Sequence, residues 1–149
     1  MQERYSGESR CDRLQIAACF RVRVRLTGRP GSPRILITED EPLIAAFVAA
    51  AVSEIGAECV GPFARLEPAL RAASTEPLDG ALLDIALADG DAYPIANALA
   101  ARQIPFAFVT AYAQSEVDRQ WADRAYQVKP FLEADIHRLV RELLLPEAA

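Results

Sequence analysis

The sequence predicts a doubly wound α/β domain, in which helices cover both faces of a parallel sheet. Two observations support this fold class. From Arg34 onward, short apolar runs alternate with segments of helical periodicity, which is typical of consecutive βαβ units. The length of 149 residues is that of one domain, and half of the residues are apolar, enough for a single core.

Five short apolar runs predict the strands, and each is bounded by turn-forming or charged residues. They are RILIT (34–38), ECVGPF (58–63), GALLDI (80–85), PFAFVT (105–110) and AYQV (125–128). Because parallel strands joined by right-handed crossovers allow few topologies, we expect the flavodoxin-like order 2-1-3-4-5. That order places a ligand site at the carboxyl ends of strands 1 and 3.

Helical spacing between the strands predicts five helices, over 42–55, 64–73, 93–102, 115–122 and 131–145. The first begins with Pro42 in its first turn and ends before Gly56, which suits a helix terminus. The fourth is the weakest, because Val117 and Trp121 are its only apolar anchors. In the last helix, the predicted buried stripe consists of Leu132, Ile136, Leu139 and Leu143.

Charge divides the chain into two parts near the linker-like segment GRPGSP. Residues 1–33 contain seven arginines and three acids, whereas residues 34–149 contain nine basic and eighteen acidic residues. We expect a basic, disordered extension over 1–33 and a folded domain over 34–145. The acidic domain argues against nucleic-acid binding, and no apolar run is long enough for a membrane span or a signal peptide.

The cysteines are consistent with a reducing, cytoplasmic location. Cys11, Cys19 and Cys59 match no zinc or redox spacing, and we interpret them as free thiols. The single histidine, His137, has no cysteine cluster beside it, and we place it on the surface of the last helix. The sequence therefore predicts no histidine- or cysteine-based metal site.

Polar residues with a common chemistry follow four of the predicted strands. Glu39 and Asp40 follow strand 1, Asp84 ends strand 3, Thr110 ends strand 4, and Lys129 follows strand 5. Three neighbouring carboxylates raise one another's pKa unless a cation neutralises them, and an all-oxygen donor set suits Mg²⁺. An ion, a lysine and a threonine hydroxyl can together stabilise a phosphoryl group on a carboxylate nucleophile. Each residue taken alone also has a structural explanation, such as a helix cap for Glu41.

In this arrangement the sequence resembles the receiver domain of bacterial response regulators, the CheY-like domain. The matching segments are ILITEDE, LLDIALADG, FVTAY and YQVKPF, and the resemblance covers about 34–145. It implies a two-component signalling protein, not an enzyme in the usual sense. Asp84 would accept a phosphoryl group from a histidine kinase or a histidine phosphotransfer protein.

The same resemblance implies roles for the neighbouring residues. Glu39, Asp40, Asp84 and the backbone carbonyl of Ala86 would hold Mg²⁺. Thr110 and Lys129 would bind the phosphoryl group, Tyr126 would be the switch aromatic residue, and the Lys129–Pro130 bond would be cis.

A narrower class of single-domain alphaproteobacterial receivers, with a Phe-Ala-Thr-Gly-Tyr-like motif, is also similar. Two positions depart from these patterns: Ala88 replaces the usual proline four residues after Asp84, and Ala111 replaces the glycine of the motif. In this class Tyr112 would share the switch role with Tyr126, and the residues do not rank the two.

The signalling role and the partner remain open at this stage. Only PEAA follows Leu145, so we expect no output domain and signalling through protein contacts, as a relay, a phosphate sink or a target-binding regulator. The first helix is apolar almost all round; its extra face either docks a kinase or phosphotransfer bundle or is covered by another segment of the chain. The main alternative function is a receiver-like interaction module that works without phosphorylation. Two other classes of protein fit less well. A haloacid-dehalogenase-type phosphatase needs a second acid two residues after its nucleophile, and this chain has Ala86 there. The phosphate of a flavodoxin-like cofactor would be repelled by the carboxylates of Glu39–Glu41.

Overall fold

The computed structural model describes residues 31–145. Most of the predicted extension, including Cys11 and Cys19, lies outside these residues. The strands are β1 (Arg34–Thr38), β2 (Glu58–Phe63), β3 (Gly80–Leu83), β4 (Phe106–Thr110) and β5 (Ala125–Val128). The helices are α1 (Pro42–Glu54), α2 (Leu66–Thr75), α3 (Tyr93–Ala101) and α4 (Glu133–Leu144). Within the described part of the chain, no helix is long and apolar enough to cross a bilayer.

The five strands form one parallel sheet in the order β2-β1-β3-β4-β5, which confirms the predicted fold class and topology. Because the strands are parallel, their carboxyl ends all lie at one edge of the sheet. The predicted site residues follow these ends, so the topology alone brings them to one side of the molecule.

Two apolar layers fill the space between the sheet and the helices. Helices α2 and α3 pack on one face, where Leu36, Phe106 and Phe108 are buried. Helices α1 and α4 pack on the other face, over Ile37 and Val109. The alternation along β1 and β4 follows from the strand period of two, with both faces covered.

Helix α1 begins as the sequence predicts, but Glu41 has a more definite role. It is the N-cap residue, and its carboxylate accepts a hydrogen bond from the backbone N–H of Leu43 at 3.4 Å. Pro42 occupies the first turn, where a missing N–H costs nothing, and Gly56 follows the helix with a φ of 81°. Glu41 therefore belongs to the helix and not to the predicted metal-binding acids.

The prediction of a fourth helix over 115–122 is wrong. The segment forms two short 3₁₀ turns, Gln114–Glu116 and Arg119–Trp121, separated by an extended Val117. The side chain of Asp118 caps the second turn by accepting a hydrogen bond from the N–H of Gln120 at 3.1 Å. Two buried anchors, Val117 and Trp121, hold the segment against the sheet without a continuous apolar stripe, so nothing favours a full helix.

The predicted stripe of the last helix is partly wrong. Leu132 is the residue before α4, which begins only at Glu133, and this leucine is 72% exposed. Its backbone N–H donates to the Asp135 carboxylate at 2.8 Å, so Leu132 belongs to the cap of the helix and not to its buried stripe. The residues that α4 buries are Ile136, Leu139, Val140 and Leu144. The helix therefore begins two residues later than predicted, and its buried stripe includes Val140 and Leu144 in place of Leu132 and Leu143.

Candidate functional site

Asp84 follows the last residue of β3 and is held from below by Thr38, the last residue of β1. The Thr38 hydroxyl accepts a hydrogen bond from the Asp84 N–H at 3.0 Å and donates one to the Asp84 carbonyl at 3.2 Å. The Thr38 carbonyl also accepts from the Asp84 N–H, at 3.1 Å. Both residues are buried, so this clamp fixes the backbone from which the Asp84 carboxylate projects.

Lys129 closes the opposite side of the site. Its ammonium nitrogen lies 2.7 Å from Asp84 Oδ2 and 2.5 Å from Glu39 Oε2. The side chains of Glu39 and Asp84 are only 3% and 5% exposed, so both carboxylates depend on this cation. The Lys129 N–H donates to the Thr110 carbonyl at 2.9 Å, which ties the lysine to the end of β4. The Lys129–Pro130 bond that follows is cis, as the resemblance implies.

For both Glu39 and Lys129, burial and the neighbouring opposite charges shift the pKa in opposite directions. Burial raises the pKa of Glu39, and the nearby Asp84 charge adds to that increase, while the Lys129 ammonium opposes it. For Lys129, burial alone would lower the pKa, but the hydrogen bonds with Asp84 and Glu39 outweigh it and the pKa is raised. We conclude that Lys129 is protonated and shared by two buried carboxylates.

The acids are arranged so that they could hold a metal ion. One oxygen each of Glu39, Asp40 and Asp84 lies within 4.8 Å of the others. Asp40 is exposed, so the cluster is open to water on that side. Carboxylate oxygens with room for water ligands are the donor set that Mg²⁺ favours, and the residues present therefore fit it. Ala86 lies next to this cluster, and its N–H donates to Asp84 Oδ1 at 3.3 Å.

The predicted switch residues are connected across β4 and β5: Thr110 ends β4, Tyr112 follows it, and Tyr126 lies within β5. Thr110 is buried, and its hydroxyl accepts a hydrogen bond from the Tyr112 N–H at 3.4 Å. The Tyr126 hydroxyl donates to the Tyr112 carbonyl, and burial raises the pKa of Tyr126. The backbone of Tyr112 thus connects the Thr110 hydroxyl to the Tyr126 ring.

Two features of the site were missed by sequence reasoning. The Thr38 clamp was missed, although a hydroxyl residue at the end of an apolar strand was a visible signal. The second feature is a two-residue antiparallel ribbon, Ala86–Leu87 with Gly90–Asp91, after β3. Asp89 at its turn accepts a hydrogen bond from the Leu66 N–H at 2.5 Å, which anchors the loop to the start of α2.

Known proteins of similar sequence and structure carry the same domain. The chain is 32% identical over 114 residues to the phyllosphere-induced regulator PhyR of Methylorubrum extorquens, covering 74% of this chain and 43% of PhyR. The structure matches the solution structure of SdrG from Sphingomonas melonis with a TM-score of 0.67 and 35% identity, covering 76% of this chain and 98% of SdrG. It matches the Erythrobacter litoralis PhyR response regulator receiver domain with a TM-score of 0.68 and 29% identity, covering 80% of this chain and 98% of that domain. This chain belongs to the response regulator receiver family.

A further receiver domain bears on the metal site. The receiver domain of the sensor histidine kinase PA1611 from Pseudomonas aeruginosa matches with a TM-score of 0.66 and 26% identity, covering 76% of this chain and 98% of that domain. Its structure has a magnesium ion coordinated in the active-site cleft. No protein-family model matches the chain. The chain spans about half the length of the curated receiver-containing relatives that it matches.

Proposed function

We propose that this receiver domain accepts a phosphoryl group on Asp84 in a Mg²⁺-dependent reaction. The donor is a phosphohistidine of a histidine kinase or of a histidine phosphotransfer protein. The observation that supports this most directly is the buried Asp84 carboxylate, 2.7 Å from the Lys129 ammonium and grouped with Glu39 and Asp40. A carboxylate placed for packing alone would not need two further acids beside it.

The residues divide the chemistry among them. An Asp84 carboxylate oxygen forms a bond to phosphorus while the phosphorus–nitrogen bond to the donor imidazole breaks, and the imidazole nitrogen keeps the electron pair. Lys129, already between Asp84 and Glu39, neutralises a phosphoryl oxygen. Bound Mg²⁺, held by Glu39, Asp40, Asp84 and the Ala86 carbonyl, would supply positive charge for the phosphoryl oxygens. The Thr38 clamp keeps the nucleophile in position throughout.

The phosphoryl group is then read out through Thr110. Its hydroxyl accepts a bond from the Tyr112 N–H. A phosphoryl oxygen on Asp84 would accept a hydrogen bond from the same hydroxyl and draw the Thr110 side chain away from Tyr112. Movement of Thr110 toward the phosphoryl group loosens the Tyr112 backbone, which also holds the Tyr126 hydroxyl. Tyr112 and Tyr126 therefore act together in this proposal, because one backbone carbonyl joins them.

Intact mass spectrometry tests the phosphoacceptor assignment. The full chain is incubated with acetyl phosphate or phosphoramidate and Mg²⁺, and we expect one phosphoryl mass increment that disappears when EDTA is added first. Asp84→Asn should abolish the increment, and Asp123→Asn, an exposed aspartate in the segment after Trp121, is the matched control that should keep it. An increment that persists in Asp84→Asn refutes the assignment. No increment with any donor favours the phosphorylation-independent interaction module.

The exposed apolar face of α1 is the proposed docking surface for the phosphodonor. Leu43 is 81% exposed and Phe47 41% exposed, and the Phe47 ring contacts Phe131, with 5.9 Å between the ring centroids. This face begins three residues after Asp40, so a helical bundle bound there would lie beside the metal-binding acids. The variant Leu43→Ser should slow transfer from the phosphorylated donor protein and leave acetyl phosphate labelling unchanged. Equal slowing of both reactions would contradict a docking role.

A further inference from the structure

Helices α1 and α4 bring together a second group of metal-ligating side chains, separate from the carboxylates of the phosphoacceptor site. Glu54 is the last residue of α1, and Glu133 and His137 lie one turn apart on α4. Spacing of four residues puts Glu133 and His137 on the same face of their helix. One ligand atom from each of the three residues lies within 4.8 Å of the other two.

The distances within this group fit a cation better than they fit hydrogen bonds. His137 Nε2 is 3.6 Å from Glu54 Oε2 and 3.8 Å from Glu133 Oε1, both beyond a normal hydrogen bond. The nitrogen is buried and has no hydrogen-bond partner. An ion bound tetrahedrally at about 2.1 Å from each ligand would separate the ligands by roughly 3.4 Å. A small inward movement of the two exposed glutamates would therefore complete such a site.

The charges at this position also call for a cation. The carboxylates of Glu54 and Glu133 lie within 4.8 Å of each other. The nearby Glu133 carboxylate raises the pKa of Glu54, and His137 opposes that increase. The side chains of Glu54 and Glu133 are 55% and 50% exposed, so an ion can enter from solvent. His137, by contrast, is only 16% exposed and is the fixed member of the group. An uncharged imidazole and two carboxylates are a ligand set for a divalent transition metal, with water completing the coordination.

We propose that Glu54, Glu133 and His137 form a binding site for Zn²⁺ or a similar divalent transition metal that connects α1 to α4. An imidazole ligand favours such ions, whereas Mg²⁺ is bound by oxygen atoms, so the two acidic clusters of the described chain select different metals. The ion joins the two helices that pack together on one face of the sheet. Binding to the folded state alone then stabilises that state. The site needs neither Asp84 nor a phosphoryl group.

Cobalt binding tests the proposal directly, because tetrahedral Co²⁺ bound to protein ligands absorbs visible light. The experiment uses the full chain with Cys11→Ser, Cys19→Ser and Asp40→Asn, which removes two of the three thiols and an acid of the other cluster. We expect one equivalent of Co²⁺ to give the absorption of a four-coordinate site and to be displaced by Zn²⁺. His137→Gln in this background should weaken binding by at least about tenfold.

Two further variants make the result specific. Glu54→Gln removes a ligand from the exposed end of α1 and should weaken Co²⁺ binding as His137→Gln does. Glu142→Gln, an exposed acid on α4 outside the group, should bind as the background protein does. Thermal unfolding without metal verifies that each variant is folded, and Zn²⁺ should raise the melting temperature only where the three ligands are intact. Unchanged affinity in both His137→Gln and Glu54→Gln would overturn the proposal.

Discussion

Replacing Lys129 with methionine removes the cation shared by the two buried carboxylates of the proposed phosphoacceptor site. The Lys129 ammonium lies 2.5 Å from Glu39 Oε2 and 2.7 Å from Asp84 Oδ2, and its side chain is 15% exposed. Methionine has a similar length and fills a similar volume, so the substitution changes charge more than packing. In the variant, two ionised groups that water barely reaches would face each other without a counterion.

The expected loss is large for a single substitution. Removing one partner of a buried ion pair lowers the free energy of unfolding by about 3–5 kcal/mol. Because water still reaches Lys129 in part, we expect a loss of about 3 kcal/mol without metal. Adding Asp84→Asn to Lys129→Met removes one of the two unpaired charges and should recover at least about 1 kcal/mol of that loss. Mg²⁺ should also stabilise the Lys129→Met variant, because Glu39, Asp40 and Asp84 remain.

Urea unfolding followed by circular dichroism measures these differences. The unmodified chain, Lys129→Met and the double variant are compared at pH 7 in EDTA and again in Mg²⁺. The contacts raise the pKa of Lys129 above its ordinary value of 10.5, so its stabilisation is fully present below that pH and is lost as the pH rises through the raised value. A loss below about 1 kcal/mol, or no recovery in the double variant, would refute the shared-cation interpretation.

Three further predictions concern residues around the sheet. Asp40→Asn should raise the free energy of unfolding in EDTA by up to about 1 kcal/mol, because an exposed charge that faces two other acids is removed. A lower free energy of unfolding in urea titrations would contradict this. Thr38→Val should lower the free energy of unfolding by about 1 kcal/mol, because the Asp84 carbonyl loses its hydrogen-bond donor. The same variant should be labelled more slowly by acetyl phosphate. A normal labelling rate would show that the clamp does not position the Asp84 carboxylate. Burial raises the pKa of the Cys59 thiol from 9.0 to about 11, so at pH 8 its reactive thiolate fraction is about a hundredfold smaller than in the unfolded chain. Because only the unfolded chain loses the thiol proton between these two values, the free energy of unfolding should fall as the pH rises from 9 toward 11. Iodoacetamide labelling with peptide mapping measures the Cys59 rate, and equal rates in folded and urea-unfolded protein would contradict the shift.

The sheet and the acids at its edge could be predicted because they depend on signals that a sequence shows directly. Buried parallel strands are short apolar runs, and their topology places Asp40, Asp84 and Lys129 at one edge whatever the details of packing. The start of α1 was equally visible, because Pro42 and Gly56 act through their own backbone conformations. These features need only local chemistry and the handedness of the crossovers.

The remaining features depend on contacts between residues far apart in the chain. The segment with Val117 and Trp121 carries no strong helical or turn signal, and only packing on the sheet decides its form. The sequence predicts His137 on the surface because the helical row through Glu133 is polar. In the structure α1 supplies Glu54, and the His137 side chain is only 16% exposed. Asp89 binds a backbone N–H 23 residues earlier, which no local pattern encodes.

The layer beneath α2 and α3 contains the only tryptophan of the chain, and this has a practical consequence. The Trp121 ring meets Phe106 edge-on, with 5.4 Å between the ring centroids, and Arg124 lies over both rings. Phe106 is the first residue of β4, the strand that ends in Thr110. When tryptophan is excited selectively over the four tyrosines, fluorescence therefore has a single emitter, which is buried in one of the two layers. A displacement of β4 can be followed by emission intensity in the unlabelled protein, while changes confined to α1 and α4 leave the signal unaltered.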